Sequence, residues 1–207
     1  VDPAVTHAGL IDELTTAGVC VVEGTDPVTR AKAIKNNAEV AGARRAQLVD
    51  GAAVSRFLAR LDQGACADEL GAAAALEAER AKAADYLGPS FETVSGAGPN
   101  GAVVHYRVTA ATNRPLEPGT LYLVDSGGQY PDATTDVTRT VAIGEPAAEM
   151  RRRFTLVLKG HIALAEAVFP EGTAGSQIDA LARRPLWAAG LDYDHGTGHG
   201  VGSRLCV

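Results

Sequence analysis

Two aspartates of this sequence are placed to do metal chemistry. Asp125 ends a run of aliphatic and aromatic residues, LYLVD, and Asp136 lies in a second β-prone run, TTDVTRTV. The glycines and the proline between these runs predict a β-hairpin whose turn is centred near Tyr130 and Pro131. That register places the two carboxylates directly opposite each other on one face, with Cβ atoms about 5 Å apart.

Like charges at this separation repel each other unless a proton or a cation lies between them. Carboxylate oxygens are ligands of hard divalent cations, so the aspartate pair predicts half of a metal site. Thr135 and Thr138 flank Asp136, and their hydroxyls can hydrogen-bond the carboxylates. The alternative is that one aspartate is solvated at a strand end while the other caps a turn.

His195 and His199 lie four residues apart in the glycine-rich stretch HGTGHGVG. The glycines disfavour a helix, and in an extended segment residues 195, 197 and 199 share one face, so both imidazoles can point the same way. A phosphate-binding loop is the alternative. It is disfavoured because the stretch lacks a strand-loop-helix context and its glycine spacing matches neither phosphate-binding pattern.

A third histidine, His105, lies in the run AVVHYRV, which predicts a strand over 102–108. A single histidine on a strand is more often a hydrogen-bonded core or surface residue than a functional one. His105 therefore becomes a candidate only in combination with the other residues.

The elements that position these side chains are mainly helical. Terminal signals and apolar periodicity predict helices before Gly18, after Asp26 and Pro27, over 37–62, over 68–86, and from Pro146 to about Val168. A last helix is predicted from a capping box at Ser176 and Asp179 to Trp187. Val19–Val22 is expected to be a strand. Apolar residues of the longer helices, among them Leu48, Phe154, Val157, Leu158 and Ile162, are expected to face inward.

Composition restricts the class of protein. The 207 residues are 46% hydrophobic, which is enough to bury a core, and the net charge of -6 argues against nucleic-acid and anionic-membrane surfaces. No apolar stretch is long enough to span a bilayer. Three widely spaced cysteines predict neither a disulfide framework nor a thiolate zinc site, which fits a cytoplasmic location. Because the chain opens on Val1 without a leader and stops at Val207, we expect it to be a fragment.

Six separated motifs carry a family resemblance. They are KAIKN (32–36), SGAGPNGAVVHY (95–106), LYLVDSGGQY (121–130), TTDVTRTVA (134–142), FTLVLKGHIAL (154–164) and LDYDHGTGHGVGS (191–203). With these motifs the sequence resembles the Xaa-Pro aminopeptidases (aminopeptidase P) of metallopeptidase family M24, which also contains methionine aminopeptidase and prolidase. Ala133 departs from the glycine usual in this subgroup.

The resemblance implies an α+β pita-bread fold, of which this chain would be the N-terminal part of the catalytic domain only. Residues 1–25 would end a preceding non-catalytic domain, and 26–207 would belong to the catalytic domain. Two divalent ions, manganese or else zinc or cobalt, would be held by Asp125, Asp136, His199 and two glutamates. His105 and His195 would orient the substrate and help to move protons. Homodimers are common in the family.

The implied reaction is removal of the N-terminal residue from peptides with proline at position two, through attack by a hydroxide bridged between two metal ions. The family continues into a His-Glu-Gly-Pro motif and the two glutamate ligands, which residues 1–207 do not contain. We therefore expect this chain alone to bind manganese weakly and to show no turnover.

Three alternatives remain open at this point. One is a prolidase-type dipeptidase, and another is a non-catalytic pita-bread module that binds peptides, which the missing glutamates favour. The third is a serine peptidase based on Ser126 in DSGG, which is weak because Val124 stands where that family has glycine.

Overall fold

The computed structural model describes residues 1–207 as six α-helices and six strands. The helices are α1 (Ala8–Thr16), α2 (Pro27–Ala33), α3 (Asn37–Asp62), α4 (Glu69–Arg80), α5 (Ala148–Ala165) and α6 (Gly175–Trp187). The strands are β1 (Gly88–Pro89), β2 (Val94–Ala97), β3 (Thr120–Ser126), β4 (Gly128–Tyr130), β5 (Ala133–Thr134) and β6 (Val137–Ile143), with a 3₁₀ helix at Gly98–Ala102. None of the helices combines the length and the apolarity needed to cross a membrane.

The strands form two antiparallel three-stranded sheets, ordered β2-β3-β6 and β1-β4-β5. The predicted hairpin is present, but its register differs by two residues. Asp125 pairs with Thr138, not with Asp136, because the turn is centred on Pro131 and Asp132. Proline favours the first central position of a turn, which moves the turn one residue along the chain. A shift of two residues keeps the two aspartates on the same face.

Helix α3 has the predicted bounds, and its start has a full capping box. The Asn36 side chain accepts from the Ala38 and Glu39 amides, and Glu39 accepts from the Asn36 amide. The helix buries Val54, Phe57 and Leu61 against α4 and the central strand β3 in the main core. Leu48 is 77% exposed, so its predicted inward position was wrong.

A buried ion pair joins α3 to α4. Asp50 and Arg80 are 0% and 1% exposed, and Asp50 Oδ1 accepts from Arg80 Nε at 2.6 Å and from the Tyr130 hydroxyl at 3.0 Å. Helix α4 ends at Arg80, six residues before the predicted end. Tight turns follow, in which the Tyr86 amide donates to the Ala83 carbonyl. The Tyr86 hydroxyl donates to the Glu77 carboxylate. These contacts tie the β4-β5 hairpin to both helices.

The N-terminal segment was predicted in part. Helix α1 is present, and Asp26 caps α2 by accepting from the Val28 and Thr29 amides, as expected. Val19–Val22 is not a strand. The Val22 carbonyl accepts from the Val1 amino group at 2.8 Å, so this segment pairs with the start of the chain and with neither sheet.

Helices α5 and α6 pack closely because α5 carries a glycine at the crossing. A Cβ on Gly160 would lie 2.0 Å from the Ala182 carbonyl oxygen. This contact uses the small-residue side of α5, so Phe154, Val157, Leu158 and Ile162 are 44 to 54% exposed, and the expectation that they face inward was wrong.

The start of α6 also differs from its prediction. Gln177 Oε1 accepts from the Ala174 amide, and Ser176 and Asp179 do not form the capping box. The Asp179 carboxylate instead contacts Arg183 and Thr197. Asp179 is therefore free of the helix terminus and available to hold a neighbouring segment.

Candidate metal centre

The carboxylate pair occupies the end of β3 and the residue before β6. Asp125 Oδ1 accepts from Thr138 Oγ1 at 2.7 Å, which is one of the two threonine contacts predicted from the sequence. Thr135 instead accepts from the Gly128 amide. Burial raises the pKa of the Asp136 carboxyl, the charge of Asp125 raises it further, and His199 opposes both. The pair is therefore a place where a bound cation would relieve repulsion.

His199 faces this pair from the glycine-rich segment. Its Nε2 lies 3.3 Å from Asp136 Oδ2, and its Nδ1 lies 2.9 Å from the Gly200 carbonyl oxygen. A carbonyl oxygen only accepts, so Nδ1 carries the proton, and in the neutral ring the Nε2 lone pair faces the carboxylate. A metal-binding histidine is oriented by a backbone carbonyl in the same way.

His195 has the same tautomer. Its Nδ1 lies 2.8 Å from the Gly196 carbonyl oxygen, which leaves Nε2 as the acceptor of the neutral ring. The imidazole stacks on the Tyr193 ring, with centroids 4.7 Å apart. His195 is therefore oriented by one hydrogen bond and one aromatic contact.

His105 does not lie on a strand, and the predicted strand over 102–108 was wrong. The segment forms turns after the 3₁₀ helix, with hydrogen bonds from the Val103 amide to the Asn100 carbonyl and from the Tyr106 amide to the Val103 carbonyl. His105 itself has φ +53°, in the left-handed region. Residues 97–114, which carry His105, are called the 97–114 loop below.

A buried glutamate organises the 97–114 loop. Glu69, in the first turn of α4, is 0% exposed. Its carboxylate accepts from the Ala97 amide (2.7 Å), Asn100 Nδ2 (2.9 Å), the Tyr106 hydroxyl (3.1 Å) and the Arg114 amide (3.0 Å). Sequence reasoning missed this residue, because an acidic residue in a first helical turn is ordinary.

All five residues singled out from the sequence line one open cleft of ≈ 830 Å³. They are His105, Asp125, Asp136, His195 and His199. They come from four separate segments, so only the tertiary fold brings them together. Ser126 is not among them and is 1% exposed within β3, which removes the support for a serine nucleophile.

The donor types fit a divalent cation, since two carboxylates and an imidazole with a free lone pair are ligands that Mn, Co and Zn accept. No three His, Cys, Asp or Glu side chains converge closely enough in this structure to form a metal cluster. The site thus has suitable donors but does not by itself surround an ion.

The fold and the carboxylate pair can be compared with those of known proteins. Residues 41–207 match the sequence model of metallopeptidase family M24, and the chain belongs to this family. Its fold is the N-terminal part of the α+β pita-bread fold, as expected from the sequence. The predicted boundary between 1–25 and 26–207 stays a prediction.

Curated relatives are named as proline-specific aminopeptidases. A probable Xaa-Pro aminopeptidase P of Neurospora crassa is 50% identical over 192 residues, which cover 90% of this chain and 28% of that protein. A probable Xaa-Pro aminopeptidase P of Sordaria macrospora is 49% identical over 192 residues, which cover 90% of this chain and 31% of that protein. The chain thus spans about three tenths of the length of these relatives.

Solved structures agree on the fold. The X-prolyl aminopeptidase of Caenorhabditis elegans, described as a cytosolic enzyme with a di-nuclear active site, superposes with a TM-score of 0.84 at 41% identity, over 89% of this chain and 31% of that one. The dipeptidase PepE of Mycobacterium ulcerans superposes with a TM-score of 0.78 at 32% identity, over 100% of this chain and 54% of that one.

Proposed function

We propose that this chain is part of a metal-dependent aminopeptidase that removes the N-terminal residue from peptides with proline at position two. The supporting observation is the convergence of His105, Asp125, Asp136, His195 and His199 on one cleft. The names of the curated relatives and of the C. elegans enzyme support the proline specificity. The cytosolic description of the C. elegans enzyme supports the same location for this protein.

Asp125, Asp136 and His199 would hold two divalent ions, which we propose to be manganese, together with ligands that residues 1–207 do not supply. Such ions lower the pKa of an attacking water and polarise the substrate carbonyl. The Thr138 hydroxyl fixes one oxygen of Asp125, and the Gly200 carbonyl fixes the His199 tautomer. These contacts preorganise the Asp125 and His199 side chains, so the two side chains lose less conformational freedom when metal binds.

The two remaining histidines would act on the peptide. His195 keeps its proton on Nδ1 through the Gly196 carbonyl, so Nε2 can accept a proton and return it to the leaving amine. His105 lies on another segment of the cleft lining and would orient the peptide backbone. Peptide binding between the two segments would exclude water from the reacting bond.

Hydrolysis of matched tripeptides tests this proposal. The intact protein loaded with Mn²⁺ should release the N-terminal residue from a tripeptide with proline at position two and not from its alanine counterpart. Asp136→Asn should lower kcat/KM at least about 1,000-fold, since catalysis here depends on the bound ions. Asp132→Asn, on the same hairpin and paired with Arg45 outside the cleft, should keep near wild-type activity.

Absence of cleavage of every Xaa-Pro-Xaa peptide by the manganese-loaded protein would contradict the proposal. Parallel loading with Zn²⁺ and Co²⁺ tests the choice of metal. Higher turnover with Zn²⁺ or Co²⁺ than with Mn²⁺ would contradict the proposal that manganese is the bound metal. It would leave the peptidase assignment in place.

A prolidase-type dipeptidase is the second candidate, because the M. ulcerans dipeptidase matches this whole chain at 32% identity. The two activities differ in substrate length. Cleavage of Xaa-Pro dipeptides with little cleavage of tripeptides would favour the dipeptidase, and the reverse would favour the aminopeptidase.

A further inference from the structure

The segment that carries His195 and His199 has almost no backbone support. Residues 191–203, called the 191–203 loop, include four glycines, and residues 192–201 take part in no backbone–backbone hydrogen bond. Glycine loses more conformational freedom on ordering than other residues. Side-chain contacts therefore decide where the two imidazoles lie.

One side chain makes more of the polar contacts to this loop than any other. Arg183, on α6, uses all three guanidinium nitrogens. Its Nε donates to Asp179 Oδ2 at 2.7 Å, its Nη1 donates to Asp192 Oδ1 at 2.9 Å and to the Tyr193 carbonyl, and its Nη2 donates to the His195 carbonyl at 2.8 Å. Arg183 thus joins α6 to three loop residues, the last of them His195.

Aromatic and hydroxyl contacts extend this arrangement toward His199. The Arg183 guanidinium carbon lies 4.0 Å from the centre of the Tyr193 ring, and the same ring stacks on His195. Thr197 Oγ1 donates to Asp179, so it accepts from the Tyr193 hydroxyl at 2.6 Å. Thr197, two residues before His199, is thus held to α6 through Asp179.

We propose that Arg183 is a positioning residue that sets the place of His195 and His199 opposite the carboxylate pair. Its catalytic consequence rests on the proposed function, whereas its effect on the loop does not. Arginine is suited to this task because its rigid planar fork satisfies several acceptors at once, which a lysine ammonium on a flexible stem does not.

The test compares Arg183→Met with Arg184→Met in the intact, manganese-loaded protein. Arg184 is the next residue of α6 and is exposed, so it controls for the loss of one positive charge. Limited proteolysis of the 191–203 loop, hydrogen exchange of α6, Mn²⁺ affinity by calorimetry and tripeptide hydrolysis are measured on both variants and on Arg183→Lys.

In Arg183→Met we expect cleavage by proteinase K within 191–203 to become about tenfold or more faster, because the loop opens more often, while amide exchange in 175–187 and cleavage within 97–114 stay unchanged. Mn²⁺ affinity should fall about 10- to 100-fold, as for other residues that orient metal ligands. The kcat should fall by a similar factor while KM changes less than about twofold. Arg183→Lys should lie between Arg183→Met and wild type, and Arg184→Met should match wild type.

Two outcomes would overturn the proposal. Loop cleavage and Mn²⁺ affinity equal to those of Arg184→Met would show that Arg183 does not hold the loop. Raised amide exchange throughout α6 would show a structural role in the helix and not a positioning role. A wild-type protein without peptidase activity would defeat the proposed function alone, since the proteolysis and calorimetry results would still decide the role of Arg183.

Discussion

The two loops that bring histidines to the cleft are held in opposite ways. The 97–114 loop, with His105, is held from inside by the fully buried Glu69 carboxylate. The 191–203 loop, with His195 and His199, is held from the surface by Arg183, whose side chain is 15% exposed, and by Asp192, which is 49% exposed. One loop therefore depends on a buried polar network and the other on charged contacts that water can reach.

This difference has consequences for stability and for motion. A buried acceptor that loses its donors, or donors that lose their acceptor, cost the full desolvation of those groups. Exposed charged contacts cost little to break because water replaces them. We therefore expect the 97–114 loop to be coupled to global folding, and the 191–203 loop to open locally without unfolding of the domain.

Replacing Glu69 should give the largest effect on stability. Glu69→Ala removes the acceptor of four donors in the 97–114 loop, and we expect the free energy of unfolding to fall by about 3–5 kcal/mol in urea titrations. Glu149→Ala is the matched control, because Glu149 also lies in a first helical turn but is 53% exposed. It should cost far less than Glu69→Ala, because water replaces its contacts. Equal costs would remove the distinction between the two loops.

Metal affinity should depend on the surface-held loop. His199→Ala should weaken Mn²⁺ binding about 100-fold or more, because even residues that only orient a ligand contribute 10- to 100-fold. His105→Ala should leave the affinity within about twofold, since His105 lies on the other loop and is proposed to contact the peptide. Calorimetry on the metal-free proteins measures both. A similar loss in the two variants would contradict the assignment of His199 as the ligand.

The packing of α6 should affect one loop selectively. Gly160→Ala places a methyl group where the Ala182 carbonyl lies, next to Arg183, and overpacking of this kind costs about 1–3 kcal/mol. In limited proteolysis, cleavage within 191–203 should become faster and cleavage within 97–114 should stay constant. Gly51→Ala in α3 is the control, since nothing lies within 4 Å of the added Cβ, and it should be neutral or stabilising by up to about 1 kcal/mol. An equal change of cleavage rate in both loops would argue that α6 does not position the 191–203 loop.

Removing one tyrosine hydroxyl from each loop should give the smallest effects on stability and compares the two loops directly. Tyr106→Phe removes a hydroxyl that donates to buried Glu69, and we expect a loss of about 1–2 kcal/mol. Tyr193→Phe removes a hydroxyl that donates to the partly exposed Thr197, and we expect a loss below about 0.5 kcal/mol. Thermal unfolding of both variants measures the difference. A larger loss for Tyr193→Phe would reverse the proposed order.

Local rules predicted much of the fold. Capping residues and apolar periodicity placed α3 at its observed bounds and placed the starts of α2 and α4. The hairpin was predicted from its two β-prone runs, and alternation of side chains kept Asp125 and Asp136 on one face although the register was off by two. Rules of this kind work where neighbours along the chain decide the conformation.

Predictions failed where distant residues decide. The run around His105 has the composition of a strand, yet Glu69 holds it in turns through contacts 28 to 45 residues apart in sequence. The apolar face of α5 was expected to be inward, but the glycine side of the helix makes the contact with α6. Neither outcome has a local signal.

The sequence by itself determined which residues could do chemistry, because the carboxylate and imidazole side chains of its motifs carry oxygen and nitrogen donors that divalent ions accept. It also determined that His195 and His199 lie on a glycine-rich segment. Tertiary structure alone decided what holds each loop, since Glu69 and Arg183 act through contacts across the fold. Such contacts depend on packing distances that no local pattern encodes.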